Sequence, residues 1–272
     1  MAKKYLTGDE VKNLELEIMK NFHNYCEKHN LRYYLYAGTL IGAVRHQGFI
    51  PWDDDIDVVM PRPDYIRLQK LLETDPVSPT IKMVNADNYD LYPFPFLKLT
   101  DTRTSGIAKL MPKGYRIGVW IDVFPLDGLP GDEKKRDEHI ASLQKKIRKL
   151  KRAMKKFTFS KNPVRMAKNM AALIYKPCNK KKLIKQLEKE AQTYPYEESP
   201  YIGVIAFCQG QNNVVPKAGF EDKVLLPFEG EEFYAPGTYD AYLTRLFGDY
   251  MTLPPEDKRI SDHSFTAWWV EE

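Results

Sequence analysis

Cysteine is scarce in this chain. Cys26, Cys178 and Cys208 are the three, an odd number without CxxC spacing, which speaks against a disulfide framework and a cysteine-built zinc site. Long apolar runs are lacking as well, and no stretch reaches the roughly 20 residues that cross a bilayer. The opening Met1-Ala2-Lys3-Lys4-Tyr5-Leu6-Thr7-Gly8-Asp9-Glu10 turns acidic and polar where a secretory leader needs an apolar centre. Internal repeats and low-complexity tracts are absent too. The expectation is a soluble cytoplasmic protein. What is present fits that reading: 272 residues, 43% hydrophobic and 12% aromatic, with a mean hydropathy of -0.50, enough for one large globular core.

The net charge of +4 hides a segregation. From Lys134 to Lys185 there are 19 Lys and Arg against two acids, Asp137 and Glu138, which leaves 22 bases and 35 acids elsewhere. A block of this sign attracts anionic membranes, polyanionic acceptors or nucleic acids. Aromatics other than Phe157 and Phe159 are missing from most of its length, and no zinc-finger or RNA-binding signature accompanies it. Nucleic acid is therefore the less favoured partner. A docking face for an anionic membrane or a lipid-linked acceptor is preferred, against the plain alternative of a solvated helix face.

Local patterns outline the elements. Thr7 and Glu10 form a capping box, and Val11, Leu14, Ile18, Phe22 and Tyr25 follow at helical spacing to about Asn30. Arg32 to Tyr36 reads as a strand, Ala37-Gly38-Thr39 as a turn, and Thr39 as the cap of a short helix through Val44. A second strand is expected from Asp55 to Met60, closed by Pro61 and Pro63. A third runs from Val119 to Phe124, ending in the turn Pro125-Leu126-Asp127-Gly128. In the basic block Ile140, Leu143, Ile147, Leu150, Met154 and Phe157 fall on one helical face; a further helix starts at Pro163 and stops before Pro177, and another covers Tyr239 to Phe247.

The run Trp52-Asp53-Asp54-Asp55-Ile56-Asp57 carries the chemistry. On a strand, Asp53, Asp55 and Asp57 project to one face while Asp54, Ile56 and Val58 project to the other. Carboxylates crowded this way repel unless a hard divalent cation compensates them, and oxygen-only ligands suit magnesium or manganese. An acidic turn is the plain alternative, but Ile56, Val58, Val59 and Met60 mark a buried strand. A calcium loop fails: counted from Asp53, the sixth position is Val58 instead of Gly and the twelfth is Asp64 instead of Glu. Upstream, Gly38-Thr39 at a strand end and helix start offers backbone amides to a phosphate.

Gly38-Thr39 followed by Asp55-Ile56-Asp57-Val58 resembles the signature of the nucleotidyltransferase superfold. The longer stretch from Tyr36-Ala37-Gly38-Thr39-Leu40-Ile41-Gly42 to Ile50-Pro51-Trp52-Asp53-Asp54-Asp55-Ile56-Asp57 resembles the LicD family, phosphocholine transferases related to fukutin and fukutin-related protein. Trp120 to Gly128, and the tail from Phe233-Tyr234-Ala235-Pro236 through Leu253-Pro254-Pro255, look like later blocks of that family. The resemblance implies an α/β (α+β) nucleotidyltransferase-like mixed sheet flanked by helices, one domain over 1–272 with a basic helical insertion at 132–192. It implies a metal-dependent transferase that moves a phospho-alcohol group from a CDP-alcohol such as CDP-choline to a hydroxyl of a cell-surface glycan, teichoic-acid or lipopolysaccharide precursor. Asp55 and Asp57 would hold the Mg2+ or Mn2+, and Asp122, set toward the cleft by strand alternation, would complete the site or take the acceptor's proton. Fifteen residues separate Thr39 from Asp55, more than in many members of the superfold, and Asp53 stays open between third ligand and helper. Gly38, Thr39, Arg45, His46 and Lys98 are the candidates for donor phosphates, and His263 matches a tail block. The rivals are a nucleotidyltransferase that attaches the nucleotide itself, and a non-catalytic module for anionic surfaces. The enzyme is expected in the cytoplasm, peripheral at the inner membrane surface.

Overall fold

The computed structural model describes residues 3–108, 111–112, 114–154, 159, 162–173, 179–207, 213–259 and 265–270. Helix α1 (Gly8–Lys28) starts from the expected capping box: Thr7 Oγ1 accepts from Glu10 N at 3.2 Å, and the Glu10 carboxylate accepts from Thr7 N at 2.7 Å. Its inner stripe, Leu14, Ile18, Met19, Phe22 and Tyr25, is buried. Next come β1 (Tyr34–Leu35), α2 (Ala37–His46), β2 (Asp57–Pro61), α3 (Arg62–Leu71), β3 (Ile81–Val84), β4 (Leu97–Asp101), β5 (Thr104–Ala108) and β6 (Trp120–Leu129). The basic block supplies α4 (Glu133–Met154), α5 (Pro163–Leu173) and α6 (Lys180–Ala191). It is followed by β7 (Tyr201–Gly203), β8 (Val214–Pro216), β9 (Lys223–Phe228), β10 (Glu231–Pro236), α7 (Tyr239–Phe247) and β11 (Phe265–Trp269).

The central mixed sheet has the order β1-β2-β6-β4-β3, with β7 joining β6 to β8. Only β2 and β6 run parallel among these pairs, and α3 follows β2 directly, lying against both strands. Helix α1 packs on β4 and β6. The β9–β10 hairpin turns on Glu229 and Gly230, both with positive φ (53° and 78°), the conformation that matches the twist of a two-residue hairpin. Ile140, Leu143, Ile147 and Leu150 of α4 face Leu183, Ile184 and Leu187 of α6 in an apolar cluster of their own, so the basic helices turn their charge outward. Met154 is half-buried beside it, while Phe157, Tyr175 and Pro177 lie outside the described residues. No described helix is long and apolar enough to cross a membrane.

Four boundaries differ from the sequence expectation: the first strand is confined to Tyr34–Leu35 within the expected Arg32 to Tyr36, and the short helix spans Ala37–His46 where a Thr39 cap and an end at Val44 were expected; the other two lie at β6 and β2. Strand β6 does not stop at Phe124 but runs through Pro125-Leu126-Asp127-Gly128 to Leu129. The reason is tertiary: Met60 and Pro61 pair with Pro125 and Leu126, and Asp127 is fully buried against Arg62, whose Nε and Nη2 donate to its two oxygens at 2.6 and 2.7 Å. At Gly128 a Cβ would come within 2.6 Å of Tyr194 O, so glycine serves close approach there and not a turn. Strand β2 begins at Asp57, not Asp55, and the preceding acids lie in irregular backbone.

Candidate active site

Asp57 opens β2, and its backbone is pinned on both sides. Its N–H donates to Thr39 Oγ1 at 2.8 Å, and its carbonyl accepts from Tyr36 N at 3.0 Å. Just before it, the Ile56 carbonyl accepts from Asp122 N at 2.9 Å. The parallel register sets Asp57 opposite Asp122, and the antiparallel register of β4 sets Lys98 opposite Asp122. Residues paired across adjacent strands project to one face, so three neighbouring strands deliver Asp57, Asp122 and Lys98 to a common wall.

That wall bounds a cleft of about 420 Å³, which Asp54, Asp55 and Glu15 also line. The rest is largely aromatic: Phe94 and Phe96 stack 5.0 Å apart, Phe96 lies 4.3 Å from Phe124, and Trp120 meets Phe265 edge-on at 4.4 Å. Lys98 is buried, ion-paired with Asp122 Oδ1, and holds its ammonium 4.3 Å from the centre of the Trp120 ring. Burial, then the charges of Asp55 and Asp122, push the Asp57 carboxyl well above the usual range. Burial does the same to Glu15, with Asp55, Asp54 and Asp122 adding to it, and Glu15 Oε2 has no hydrogen-bond partner in the structure.

Asp55, Asp57, Asp122 and Lys98 are thus brought together, whereas other candidates are not. Asp54, expected on the opposite face, lines the cleft, and Asp53 does not. Strand alternation cannot apply to residues that precede the strand. The Asp53 carboxylate instead lies against the start of α2, where a Cβ on Gly38 would sit 2.5 Å from Asp53 Oδ2. Thr39 is not a helix cap; the N-cap is Tyr36, followed by Ala37 at a left-handed φ of 46°, and the Thr39 hydroxyl holds Asp57 instead. Arg45 and His46 occupy the last turn of α2, away from the cleft lining. The Arg45 Nε donates to His46 Nε2 at 2.9 Å, and its Nη1 donates to Tyr250 O at 2.6 Å. His263 lies outside the described residues.

Among the described residues no three His, Cys, Asp or Glu side chains are close enough together to hold an ion. Asp55 and Asp57 both line the cleft, and the charge of Asp55 adds to burial in raising the Asp57 carboxyl, so this pair is the one that could take a hard divalent cation. Glu15 escaped the sequence reading. The available signal was a carboxylate four residues after Val11 on the apolar stripe of α1, a place where a charge is costly without a partner.

Residues 30–107, which contain α2, the aspartate run and Lys98, match the family model described as LicD/FKTN/FKRP, nucleotidyltransferase domain. The chain is 34% identical over 274 residues to the lipopolysaccharide cholinephosphotransferase LicD of Haemophilus influenzae, covering 97% of this chain and 99% of that protein. The chain belongs to the LicD family. Uncharacterised proteins of Rickettsia prowazekii and Rickettsia typhi are similar over shorter stretches: 45% identical over 72 residues, and 47% over 64. These spans cover 26% and 23% of this chain, and 27% and 21% of the two relatives. The family assignment and the mixed α/β architecture agree with the resemblance drawn from the aspartate run, and make the chain a LicD-type transferase.

Proposed function

We propose that this chain transfers a phospho-alcohol group from a CDP-alcohol to a hydroxyl of a cell-surface glycan precursor. The observation that carries the reading is the cross-strand alignment of Asp57, Asp122 and Lys98 in one cleft. It occurs in a chain that aligns end to end with a relative named for cholinephosphate transfer to lipopolysaccharide. Transfer of this kind needs positioning and charge neutralisation more than covalent help. Asp55 and Asp57 would hold a Mg2+ or Mn2+ ion, which when bound neutralises the donor's phosphates. Asp122, oriented by Lys98, takes the proton of the acceptor hydroxyl as its oxygen bonds to the phosphorus that bears the alcohol. The bond from that phosphorus to the bridging oxygen breaks, and CMP leaves. The aromatic walls exclude water, which would otherwise compete as acceptor.

The outward Lys and Arg of α4 and α6 fit a peripheral contact with an anionic membrane carrying a lipid-linked acceptor, at the cytoplasmic face. Product analysis tests the chemistry. Incubation with CDP-choline, glycan acceptor and Mg2+ or Mn2+ is expected to release CMP; pyrophosphate release from a nucleoside triphosphate, with no CMP from the CDP-alcohol, would establish nucleotide attachment instead.

A further inference from the structure

Tyr115 stands on the cleft wall in the segment that leads into β6, 3% exposed, and its hydroxyl has no hydrogen-bond partner in the structure. Its ring is held in place: Tyr89 stacks on it at 5.5 Å and 28°, and the Tyr89 hydroxyl is itself fixed by accepting from Arg116 N at 2.8 Å. The other hydroxyl on the described lining, that of Thr7, donates to Glu10, and the Lys98 ammonium is committed to Asp122. A buried hydroxyl without a partner is destabilising, and one on the wall of a cleft marks a place where a ligand supplies the missing acceptor. Burial, and after it the charge of Asp122, raise the phenol above its ordinary pKa, so the hydroxyl keeps its proton and acts as a donor.

We propose that the Tyr115 hydroxyl is a catalytic group that donates to a non-bridging oxygen on the phosphorus being transferred. The inference rests on the CDP-alcohol reading and deepens it by adding a residue to the same site. Five carboxylates line this cleft against one ammonium, which Asp122 already holds, so the described wall is poor in groups that receive a phosphate. A phenol supplies a donor without a positive charge for those carboxylates to pair with. In transfer of this kind negative charge spreads over the equatorial oxygens as the bond to the bridging oxygen breaks, and a fixed donor aimed there stabilises it. The phenol keeps its proton throughout: the acceptor's proton still goes to Asp122, and CMP leaves as before. Tyr92 supplies the contrast. It too is 3% exposed with an unpartnered hydroxyl, but it is not part of the cleft lining.

The test compares Tyr115→Phe and Tyr92→Phe with the wild type in three measurements: thermal unfolding, calorimetric titration with CDP-choline and Mg2+ in the absence of acceptor, and CMP release in its presence. Each variant loses a hydroxyl that has no partner, so each should unfold at the wild-type temperature or up to about 4 °C above it. Tyr115→Phe should bind CDP-choline about tenfold more weakly and lose about 100-fold in kcat/KM, the larger share in kcat. Tyr92→Phe should stay within about twofold of the wild type in both. Wild-type affinity and turnover in Tyr115→Phe would overturn the assignment and leave the transferase reading standing. So would a lowered unfolding temperature in Tyr115→Phe, which would make the hydroxyl structural, or an equal loss of turnover in Tyr92→Phe. No CMP from the wild type would overturn the transferase reading itself, and the role of Tyr115 with it.

Discussion

Replacing Thr39 by valine removes one oxygen and almost no volume. The residue is 4% exposed, and its hydroxyl is the acceptor for the Asp57 N–H at 2.8 Å. Valine leaves that donor unsatisfied, at a cost of about 1–3 kcal/mol, which for a chain of this size lowers Tm by roughly 3–10 °C. The same bond fixes where β2 begins, and so where Asp57 stands relative to Asp122. Loosening it should lower kcat about 10–100-fold, since small misplacements at a reacting centre are amplified in rate. Thr39→Ser, which keeps the oxygen, should recover most of both losses. The assay is thermal unfolding beside CMP release, with circular dichroism to match folded content. If Thr39→Val unfolds within 1 °C of the wild type (about the assay's resolution against the expected shift) and turns over normally, Thr39 does not anchor Asp57.

Arg62 and Asp127 clamp the far ends of the two parallel strands. Arg62→Met alone should destabilise by about 3–5 kcal/mol in chemical denaturation, because it strands a buried carboxylate, while the double variant with Asp127→Leu should regain most of the loss; equal stability of the single variant would refute the clamp. His139 is half-buried against Tyr194, and burial lowers its pKa. The unfolded chain then binds the proton first, so stability falls as pH drops below about 6.5 toward the folded value; Tm measured between pH 7.5 and 5 should decline less in His139→Phe than in the wild type. The basic helices should sediment with anionic vesicles at low salt and release as salt rises; no binding at low salt would remove the membrane contact from the account.

Helix α1 and helix α7 were legible because their signals are local: a capping box and an apolar stripe for one, an amphipathic run closed by Gly248 for the other. Asp57 and Asp122 were legible as carboxylates on strands among apolar β-formers, whereas Asp55 was expected on a strand that begins only at Asp57. The errors arise where distant chain segments decide. Pro125 to Gly128 carries turn residues, yet pairing with β2 and the buried Arg62 keep it extended. The exchange of Asp53 and Asp54 follows from irregular backbone that no two-residue period describes. The aromatic walls could not be read at all, because Phe94, Trp120, Phe207 and Phe265 meet only through the fold.

The most direct test of the account is CMP release from CDP-choline in the presence of Mg2+ by the wild type and by Asp57→Asn, matched for folded content by circular dichroism. The account predicts acceptor-dependent CMP release that stops on metal chelation, and a loss of at least 100-fold in kcat for Asp57→Asn. Full metal-dependent turnover by folded Asp57→Asn would contradict it.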